Sequence, residues 1–250
     1  MTILDKKLEG TGTVLILGHV RPDGDCVGSC LGLLNYLENA YPQTKATVCL
    51  EAPAGKFGYM KGFDQIQTIF PQDTSYDLCI CLDCSDKERL GAGAAAFQLA
   101  KDTLCIDHHI TNRNYCAENV VEPNASSTCE VLFGLMDEAK ITKETAACLY
   151  TGIVHDTGVF RYSCTSSKTM NIAGKLMDKG IDFSSIIDDS FFRKTYVQNQ
   201  ILGRALLESI TFLHGKCIFS VVRLKDMDFY GVTSKDLDGI VEQLRVTEGI

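Results

Sequence analysis

The sequence lacks an excess of positive charge. It has 24 lysine and arginine residues against 32 aspartate and glutamate residues, which gives a formal net charge of −8. A protein that binds long nucleic acid usually presents an extended basic surface to the phosphates. The excess of acidic residues therefore argues against a long duplex as partner. A small anionic substrate remains compatible with the charge if metal ions supply the positive counterpart.

The sequence also lacks long apolar stretches. No uninterrupted apolar run approaches the roughly 20 residues that span a bilayer. The N-terminal segment does not combine the basic start, apolar stretch and small-residue cleavage site of a secretory signal. Hydrophobic residues nevertheless make up 45% of the 250 residues, enough for a substantial core. We therefore expect a folded cytoplasmic protein with no membrane partner.

A second CxxC motif is missing, although the chain contains 12 cysteines. Cys81 and Cys84 form one such pair, which by itself invites a zinc or redox interpretation. Cys79 and Cys81, however, alternate along an apolar run, and cysteine packs as a small apolar residue in a buried strand. Because nothing marks a secreted chain, we expect reduced thiols and no disulfide scaffold.

The first half of the chain alternates short apolar runs with helical stretches, as a parallel sheet covered by helices requires. The predicted strands are Thr13–Leu17, Ala46–Leu50, Leu78–Leu82 and Thr103–Ile106. Periodicity and start signals predict the helices Cys26–Asn39, Ser127–Ala139, Lys143–Val154 and Ser167–Lys179. The predicted fold class is therefore α/β, with a parallel sheet flanked by helices.

The pattern changes at Ile181. A mostly helical stretch continues to Ser209, and a strand candidate follows at Lys216–Arg223. A remaining tail of about 40 residues is shorter than an ordinary domain. We therefore expect a helical connector that leads into the beginning of a smaller domain.

Acidic and imidazole side chains recur at the ends of three predicted strands and of one helix. They lie in GHVRPDGD, CLDCSD, the triplet Asp-His-His and GIVHDTG, and comprise His19, Asp23, Asp25, Asp83, Asp107, His108, His109 and Asp156. Ligands bind at the carboxyl ends of strands in an open α/β sheet, so these residues can converge although they span more than half the chain.

The carboxylates among these residues indicate a metal site. A turn at Gly24 can point Asp23 and Asp25 toward one centre. Carboxylates brought so close repel one another unless cations neutralise them. Histidine and aspartate, with no thiolate placed to join them, favour Mn²⁺ or Mg²⁺ over a structural zinc site.

Each motif taken alone has a simpler interpretation. An isolated Asp-Gly-Asp is usually a solvated turn, and a His-His pair at a strand end is more often structural. The four motifs, occurring in this order, favour a single site to which all of them contribute residues. His155 adjoins Asp156 on a helix, where consecutive side chains point in different directions, so we expect it to face away from the metals. His214 lies in a turn-like LHGK segment and is not expected to take part.

These motifs together resemble the DHH phosphoesterase family, named for its Asp-His-His triplet. GHVRPDGDCVGS, CLDCSD, IDHHITN and GIVHDTGVFRY are similar to the family's four motifs in order, from about residue 12 to 190. The resemblance implies two divalent cations, Mn²⁺ first and Mg²⁺ as the alternative. It implies that one ion is held by His19, Asp23 and Asp83, and the other by Asp25, Asp83, His108 and Asp156. It also implies that Asp107 orients an imidazole and that His109 faces the substrate phosphate.

A further segment is similar to the family's phosphate-contacting loop. PNASST, residues 123–128, implies substrate contacts from Asn124, Ser126, Ser127 and Thr128. The alternative is a simple helix N-cap without a ligand. Asn112 and Arg161 lie in extensions of the third and fourth motifs, which implies contacts to phosphate or sugar.

Within the family, the chain most resembles the subfamily that hydrolyses short oligoribonucleotides and 3′-phosphoadenosine 5′-phosphate (pAp). The resemblance implies a DHH catalytic domain over residues 1–190, a helical connector over 191–209 and, over 210–250, the N-terminal part of an α/β DHH-associated domain that binds substrate. We expect that last domain to be incomplete, because the subfamily's GGGH segment does not occur.

The expected partners are small nucleotides or short single-stranded oligonucleotides, and a homodimer is left open. The alternatives are a cyclic-di-AMP or pApA phosphodiesterase, a family II pyrophosphatase, and a catalytically weak nucleotide-binding regulatory module.

Overall fold

The computed structural model describes residues 1–237 and 239–250. They form two compact units, Met1–Phe191 and Phe192–Ile250. Asp238 belongs to the predicted segment 210–250 and lies outside the described residues. The assignment of catalysis to residues 1–190 and of substrate binding to residues 210–250 stays a prediction.

A five-stranded parallel sheet forms the centre of the first unit. Its strands are β1 (Thr13–Leu17), β2 (Lys45–Cys49), β3 (Leu78–Leu82), β4 (Asp102–Asp107) and β5 (Glu118–Val121), in the order β2-β1-β3-β4-β5. The predicted α/β fold is confirmed, and the four predicted strands agree with β1 to β4 within one residue at each end. The edge strand β5 has no predicted counterpart, because Glu118 and Asn119 interrupt its apolar run.

The helices of the first unit cover the sheet. They are α1 (Ile3–Leu8), α2 (Gly24–Ala40), α3 (Gly93–Gln98), α4 (Thr128–Leu135), α5 (Lys143–Asp156), α6 (Ser167–Met177) and α7 (Phe183–Ile187), and a π-helical turn spans Asp188–Phe192. Helix α4 ends at Leu135, before the predicted end at Ala139. Its continuation is broken because the Asp137 carboxylate accepts a hydrogen bond from the Ala139 backbone and starts a separate 3₁₀ turn.

Side chains alternate between the two faces of the sheet, and each face has its own apolar cluster. Val14 packs in the cluster that contains α2, α4 and α5, whereas Leu15 packs in the cluster of the opposite face. Cys79 and Cys81 of β3 belong to that opposite cluster, with their Sγ atoms 4.0 Å apart. All twelve cysteines are free. The alternation of Cys79 and Cys81 is therefore the alternation of a buried strand.

Helices α2 and α5 approach each other closely because glycine lies in their interface. A Cβ atom added at Gly28 of α2 would lie 2.6 Å from the carbonyl oxygen of Cys148 in α5. A Cβ atom added at Gly152 of α5 would lie 2.5 Å from Oδ1 of Asp25. Any larger residue would push the helices apart. The packing thus fixes the first turn of α2, which carries Asp25.

The second unit is smaller. It contains α8 (Tyr196–Leu207), the antiparallel pair β6 (Ile210–Phe212) and β7 (Cys217–Phe219), α9 (Leu224–Tyr230) and α10 (Ile240–Arg245). Ala205, Ile240 and Leu244 form its buried core. The strand predicted at Lys216–Arg223 is shorter in the structure, where it ends at Phe219. Among the described residues, no helix combines the length and apolar character needed to cross a membrane.

Candidate metal centre

The candidate site lies at the carboxyl edge of the sheet. His19 follows β1, Asp83 follows β3, and β4 ends in Asp107. Strands β1 and β3 are neighbours in the sheet although β2 separates them in the sequence. In a sheet of this strand order, ligands bind in the crevice outside the ends of these two strands. His19 and Asp83 come from the two strands that border this crevice.

The imidazole of His19 directs Nε2 at two carboxylates. Its Nδ1 lies 2.8 Å from the carbonyl oxygen of Val20, which favours the proton on Nδ1 and a free lone pair on Nε2. Nε2 is 3.4 Å from Oδ2 of Asp83 and 3.7 Å from Oδ1 of Asp23. Burial opposes the charged ring, but the two carboxylates beside Nε2 raise the pKa of His19 well above its usual range. Nε2 therefore lies where a cation is favoured.

Asp23 caps helix α2. Its Oδ1 accepts hydrogen bonds from the backbone nitrogens of Asp25 and Cys26, each at 3.1 Å. Burial opposes the ionised form, yet the contact with His19 and these two amides lower the pKa of Asp23 to about 2. The carboxylate is therefore ionised at neutral pH and held in a fixed direction by the helix start.

Asp25 belongs to α2, and its buried carboxylate lies against the first residues of helix α4. Its Oδ2 accepts from the backbone nitrogen of Thr128 at 2.6 Å, and its Oδ1 accepts from the backbone nitrogen of Cys129 at 3.0 Å. Burial and the neighbouring charges of Asp83 and Asp156 raise its pKa above the usual range. Ionisation of Asp25 is therefore unfavourable without a counter-charge, and a bound cation would relieve the repulsion.

Asp83 occupies the centre of the site. Its backbone has a φ of 55°, a left-handed conformation that is uncommon for residues other than glycine. Its Oδ1 accepts from Thr128 Oγ1 at 3.0 Å and lies 3.5 Å from His109 Nδ1 and 3.7 Å from His108 Nε2. Its Oδ2 faces His19. One carboxylate therefore has imidazoles near both of its oxygens, as a bridging ligand requires.

His108 presents a buried nitrogen without a hydrogen bond. Within the described part of the chain, Nε2 has no hydrogen-bond partner, although Oδ2 of Asp156 lies only 3.1 Å away. Burial opposes protonation of the ring, but Asp156 and Asp25 outweigh it and raise the pKa of His108 to about 10. Burial and the charge of Asp83 raise the pKa of Asp156 to about 6. A buried nitrogen aimed at carboxylates matches the donor set of a metal ion.

Asp107 organises the third motif. Its Oδ1 accepts from the backbone nitrogen of His108 at 2.8 Å and lies 2.8 Å from Nδ1 of His109. Its Oδ2 accepts from Nδ2 of Asn112 at 2.6 Å. Burial opposes ionisation, but the bonds from His109 and Asn112 lower the pKa of Asp107. Asp107 therefore fixes the His109 ring, and the structure places Asn112 against Asp107.

The residues fit divalent cations. Ligand atoms within 4.8 Å of one another occur in three groups, namely His19 with Cys26 and Asp83, Asp83 with His108 and His109, and Asp25 with His108 and Asp156. Imidazole and carboxylate donors suit Mn²⁺, Mg²⁺ and Zn²⁺ to different degrees. The unpartnered Nε2 of His108 supports the same conclusion.

A thiol lies beside these residues, where the sequence predicted none. Cys26 is fully buried in the first turn of α2, and its sulfur belongs to the group with His19 and Asp83. Asp23 caps this helix, and residues three positions apart lie on one helix face, so Cys26 follows Asp23 on the same side. The helix start fixed by Asp23 was the signal that could have located this cysteine.

Residues 13–153 match the model of the DHH family, N-terminal domain. The match covers more than half of the chain and includes the residues of the first three motifs. The chain belongs to the DHH family. The fourth motif begins at Gly152, inside the matched range, and its Asp156 lies just beyond that range.

The relatives of this DHH chain include three bacterial proteins that carry one enzyme name. The chain is 25% identical over 245 residues to the bifunctional oligoribonuclease and PAP phosphatase NrnA of Bacillus subtilis, covering 95% of this chain and 75% of the relative. It is 28% identical over 246 residues to the protein of that name from Thermus thermophilus, covering 95% and 70%. It is 29% identical over 186 residues to a probable NrnA of Streptococcus mutans, covering 72% of this chain and 57% of that relative.

A solved structure supports the fold of this DHH chain. An exopolyphosphatase-related protein from Bacteroides fragilis superposes with a TM-score of 0.91 and 23% identity, covering 99% of this chain and 76% of that protein. A putative family II inorganic pyrophosphatase from Methanococcus jannaschii gives a TM-score of 0.54 and 19% identity, covering 74% and 63%. At these identities the likeness concerns the fold alone.

The serines and threonine of the PNASST segment point at protein groups. The Ser126 hydroxyl donates to Oε2 of Glu130 at 2.7 Å, and Ser127 caps helix α4 through the Glu130 backbone nitrogen at 3.1 Å. Thr128 donates to Asp83, as described above, and Asn124 is exposed. The Ser127 contact is that of a helix N-cap, and phosphate contacts from the segment stay a prediction.

Arg161 of the DHH chain is exposed, and it follows a left-handed stretch of backbone. Gly158, Val159 and Phe160 have φ values of 55°, 57° and 62°, which is a strained conformation for a β-branched residue such as Val159. The backbone nitrogen of Arg161 donates to the carbonyl oxygen of Thr157 at 2.9 Å. This turn directly follows Asp156, and a substrate contact from Arg161 stays a prediction.

His155 packs behind the site, in agreement with the expectation that it faces away. Its Nε2 lies 3.1 Å from the Ser190 hydroxyl, and its ring meets Phe57 and Phe191 edge to face at 5.2 and 5.4 Å between centroids. A Cβ atom added at Gly24 would lie 2.2 Å from its Cγ atom. His155 thus supports the turn that joins Asp23 to Asp25.

Proposed function

We propose that this chain is a two-metal phosphoesterase that hydrolyses phosphate esters of small nucleotides, namely short oligoribonucleotides and pAp. The observation that carries the proposal is the central place of Asp83, whose two oxygens face His19 on one side and His108 and His109 on the other. In a DHH chain this geometry supports a pair of cations that share one carboxylate.

The residues divide into two sets of ligands. His19, Asp23 and Asp83 would hold one ion, and Asp25, Asp83, His108 and Asp156 the other. When bound, a pair of divalent cations, here most simply Mn²⁺ with Mg²⁺ as the alternative, lowers the pKa of water and offsets charge on a phosphoryl group. Since several of these carboxylates are buried close together, the protein itself provides the negative field that attracts the ions.

His109 would act on the substrate. Its side chain is 33% exposed, and Asp107 holds its Nδ1, so the other ring nitrogen is available to a phosphate. The hydrogen bond that His109 donates to the Asp107 carboxylate raises the pKa of His109, which keeps the ring protonated to higher pH. A protonated His109 can stabilise charge on a phosphoryl oxygen or give a proton to the leaving oxygen.

The substrate class follows from the relatives and from charge. The relatives from Bacillus subtilis and Thermus thermophilus are named as oligoribonuclease and PAP phosphatase. The net charge of −8 disfavours a long polyanion, whereas a short one can be bound locally by the cations and His109. A cytoplasmic location and a substrate-binding role for residues 210–250 are parts of the same proposal.

A comparison of substrates tests the proposal. Wild-type protein with Mn²⁺ is incubated separately with pAp, pApA, a short RNA, cyclic-di-AMP and pyrophosphate, beside Asp83→Asn and the control Asp64→Asn. Asp64 is an exposed residue of the same unit. We expect the wild type and Asp64→Asn to release AMP from pAp and pApA, and Asp83→Asn to lose activity about 100-fold or more.

Two results would contradict this function. Nucleotide binding without turnover would indicate the regulatory module. Preference for cyclic-di-AMP or pyrophosphate over pAp and short RNA would reassign the substrate while leaving the phosphoesterase class in place.

A further inference from the structure

A cysteine lies among the residues that would hold the first ion. The sulfur of Cys26 and ligand atoms of His19 and Asp83 all lie within 4.8 Å of one another. All three side chains are buried, with exposed fractions of 0% for Cys26, 3% for His19 and 2% for Asp83. Ligands of one tetrahedral or octahedral ion are separated by comparable distances, since each metal–ligand bond is about 2.0–2.3 Å long.

The position of this sulfur is fixed by the packing around it. A Cβ atom added at Gly18, the residue before His19, would lie 2.3 Å from Sγ of Cys26 and 3.4 Å from Sγ of Cys30. Gly18 therefore leaves the space that Cys26 fills. Helix α2 begins at the Asp23 cap, which holds its first turn, and with it Cys26, against the end of β1.

The two predicted ion positions differ in their donors. Cys26 belongs to the group with His19 and Asp83, whereas the group of Asp25, His108 and Asp156 contains only nitrogen and oxygen ligands. Thiolate ligands select softer ions such as Zn²⁺ and disfavour Mn²⁺ and Mg²⁺ relative to carboxylates. The two positions therefore present different chemistry to a mixture of metals.

We infer that Cys26, as the thiolate, is a ligand of the ion held by His19, Asp23 and Asp83, and that it makes this position prefer thiophilic ions such as Zn²⁺ and Co²⁺. The inference rests on the proposed two-metal function and deepens it. The second position keeps its preference for Mn²⁺ or Mg²⁺. The competing interpretation is that Cys26 only packs as a small apolar residue, as buried cysteines commonly do.

Cobalt spectroscopy separates the two interpretations without an activity assay. Wild type, Cys26→Ser and the control Cys30→Ser are loaded with Co²⁺ under anaerobic conditions, and bound metal is counted. Cys30 is equally buried, one turn further along α2. We expect a near-ultraviolet thiolate-to-cobalt charge-transfer band in wild type and in Cys30→Ser, and its loss in Cys26→Ser. We also expect Cys26→Ser to weaken Zn²⁺ binding about tenfold or more, while Mn²⁺ binding changes little.

The outcomes distinguish this inference from the function on which it rests. Co²⁺ bound by the wild type without a charge-transfer band, or a band that persists in Cys26→Ser, would overturn the role of Cys26 and leave the two-metal proposal intact. No Co²⁺ or Mn²⁺ binding by any form would overturn both. If Cys26→Ser does not fold, Cys26→Ala replaces it, and X-ray absorption of the zinc-loaded wild type decides: a sulfur at about 2.3 Å supports the inference, and a shell of only nitrogen and oxygen rejects it.

Discussion

Replacing Gly24 with alanine should damage the candidate metal centre through packing alone. Gly24 lies between Asp23 and Asp25, and an added Cβ atom would lie 2.2 Å from Cγ of His155 and 2.6 Å from two further atoms of that side chain. Ordinary contact begins at about 3.4 Å, so either the His155 ring or the turn must move by about 1 Å.

The His155 ring has little freedom to move. Its Nε2 lies 3.1 Å from the Ser190 hydroxyl, and Phe57 and Phe191 pack against it. Overpacking of this kind costs about 1–3 kcal/mol, and the helix propensity gained by Gly→Ala returns at most about 1 kcal/mol. We expect a net loss of about 1–2 kcal/mol in unfolding free energy. A shift of about 1 Å at two ligands should also weaken Mn²⁺ binding at least about tenfold, as does loss of other groups that orient ligands.

Denaturant unfolding and calorimetric Mn²⁺ titration measure the two effects. Gly174→Ala is the matched control, because Gly174 is an exposed glycine of α6 with nothing within 4 Å of an added Cβ atom, and this variant should be stabilised by up to about 1 kcal/mol. In the His155→Ala background, which removes the Cγ and Cδ2 atoms but keeps Cβ, Gly24→Ala should cost less than in wild type. The reasoning is refuted if Gly24→Ala keeps wild-type stability and metal affinity.

Three further predictions concern the same site. Asp83→Ala should reduce bound metal more than the alanine variant of any other ligand, because its carboxylate faces both ion positions; metal analysis checks this, and two ions per chain in Asp83→Ala would disprove it. His108→Ala should lose metal, whereas His109→Ala should keep metal and lose kcat, and equal metal loss in the two variants would reject their separate roles. In the metal-free protein, the pKa of Asp156 is raised to about 6 and that of His108 to about 10, so the folded state binds more protons than the unfolded chain. As the pH rises, the folding stability contributed by Asp156 is lost between about pH 4 and 6, and that contributed by His108 is lost between about pH 6.5 and 10. The Tm of the metal-free protein should therefore fall between pH 6 and pH 9, while its affinity for Mn²⁺ rises. A metal-free Tm that rises over this interval would contradict the assigned contacts.

The sheet was predictable where its strands are continuous apolar runs. Leu78–Leu82 is buried at every position, so the run itself gives the strand bounds. The edge strand Glu118–Val121 could not be found this way, because it is only partly buried and its first residues are polar. His19, Asp83 and Asp107 stand at the ends of predicted strands. Because parallel strands end at the same edge of a sheet, the sequence alone predicts that these three residues lie at its carboxyl edge.

The details of the site depend on contacts that one sequence does not encode locally. Asn112 donates a hydrogen bond to Asp107 because the loop after β4 turns back toward that strand. Thr128 donates a hydrogen bond to Asp83 because α4 starts beside the end of β3. The sulfur of Cys26 was not expected at the site, because no thiol was counted among the ligands. The three-residue offset from the Asp23 cap places it beside His19.

The most direct test of the account is anomalous diffraction at the manganese edge from crystals of the metal-free protein soaked in saturating Mn²⁺, so that even a position that prefers other ions is filled. We predict two peaks, one among His19, Asp23 and Asp83 and one among Asp25, Asp83, His108 and Asp156, with Asp83 contacting both. A single peak, or peaks away from the carboxyl edge of the sheet, would contradict the two-metal centre.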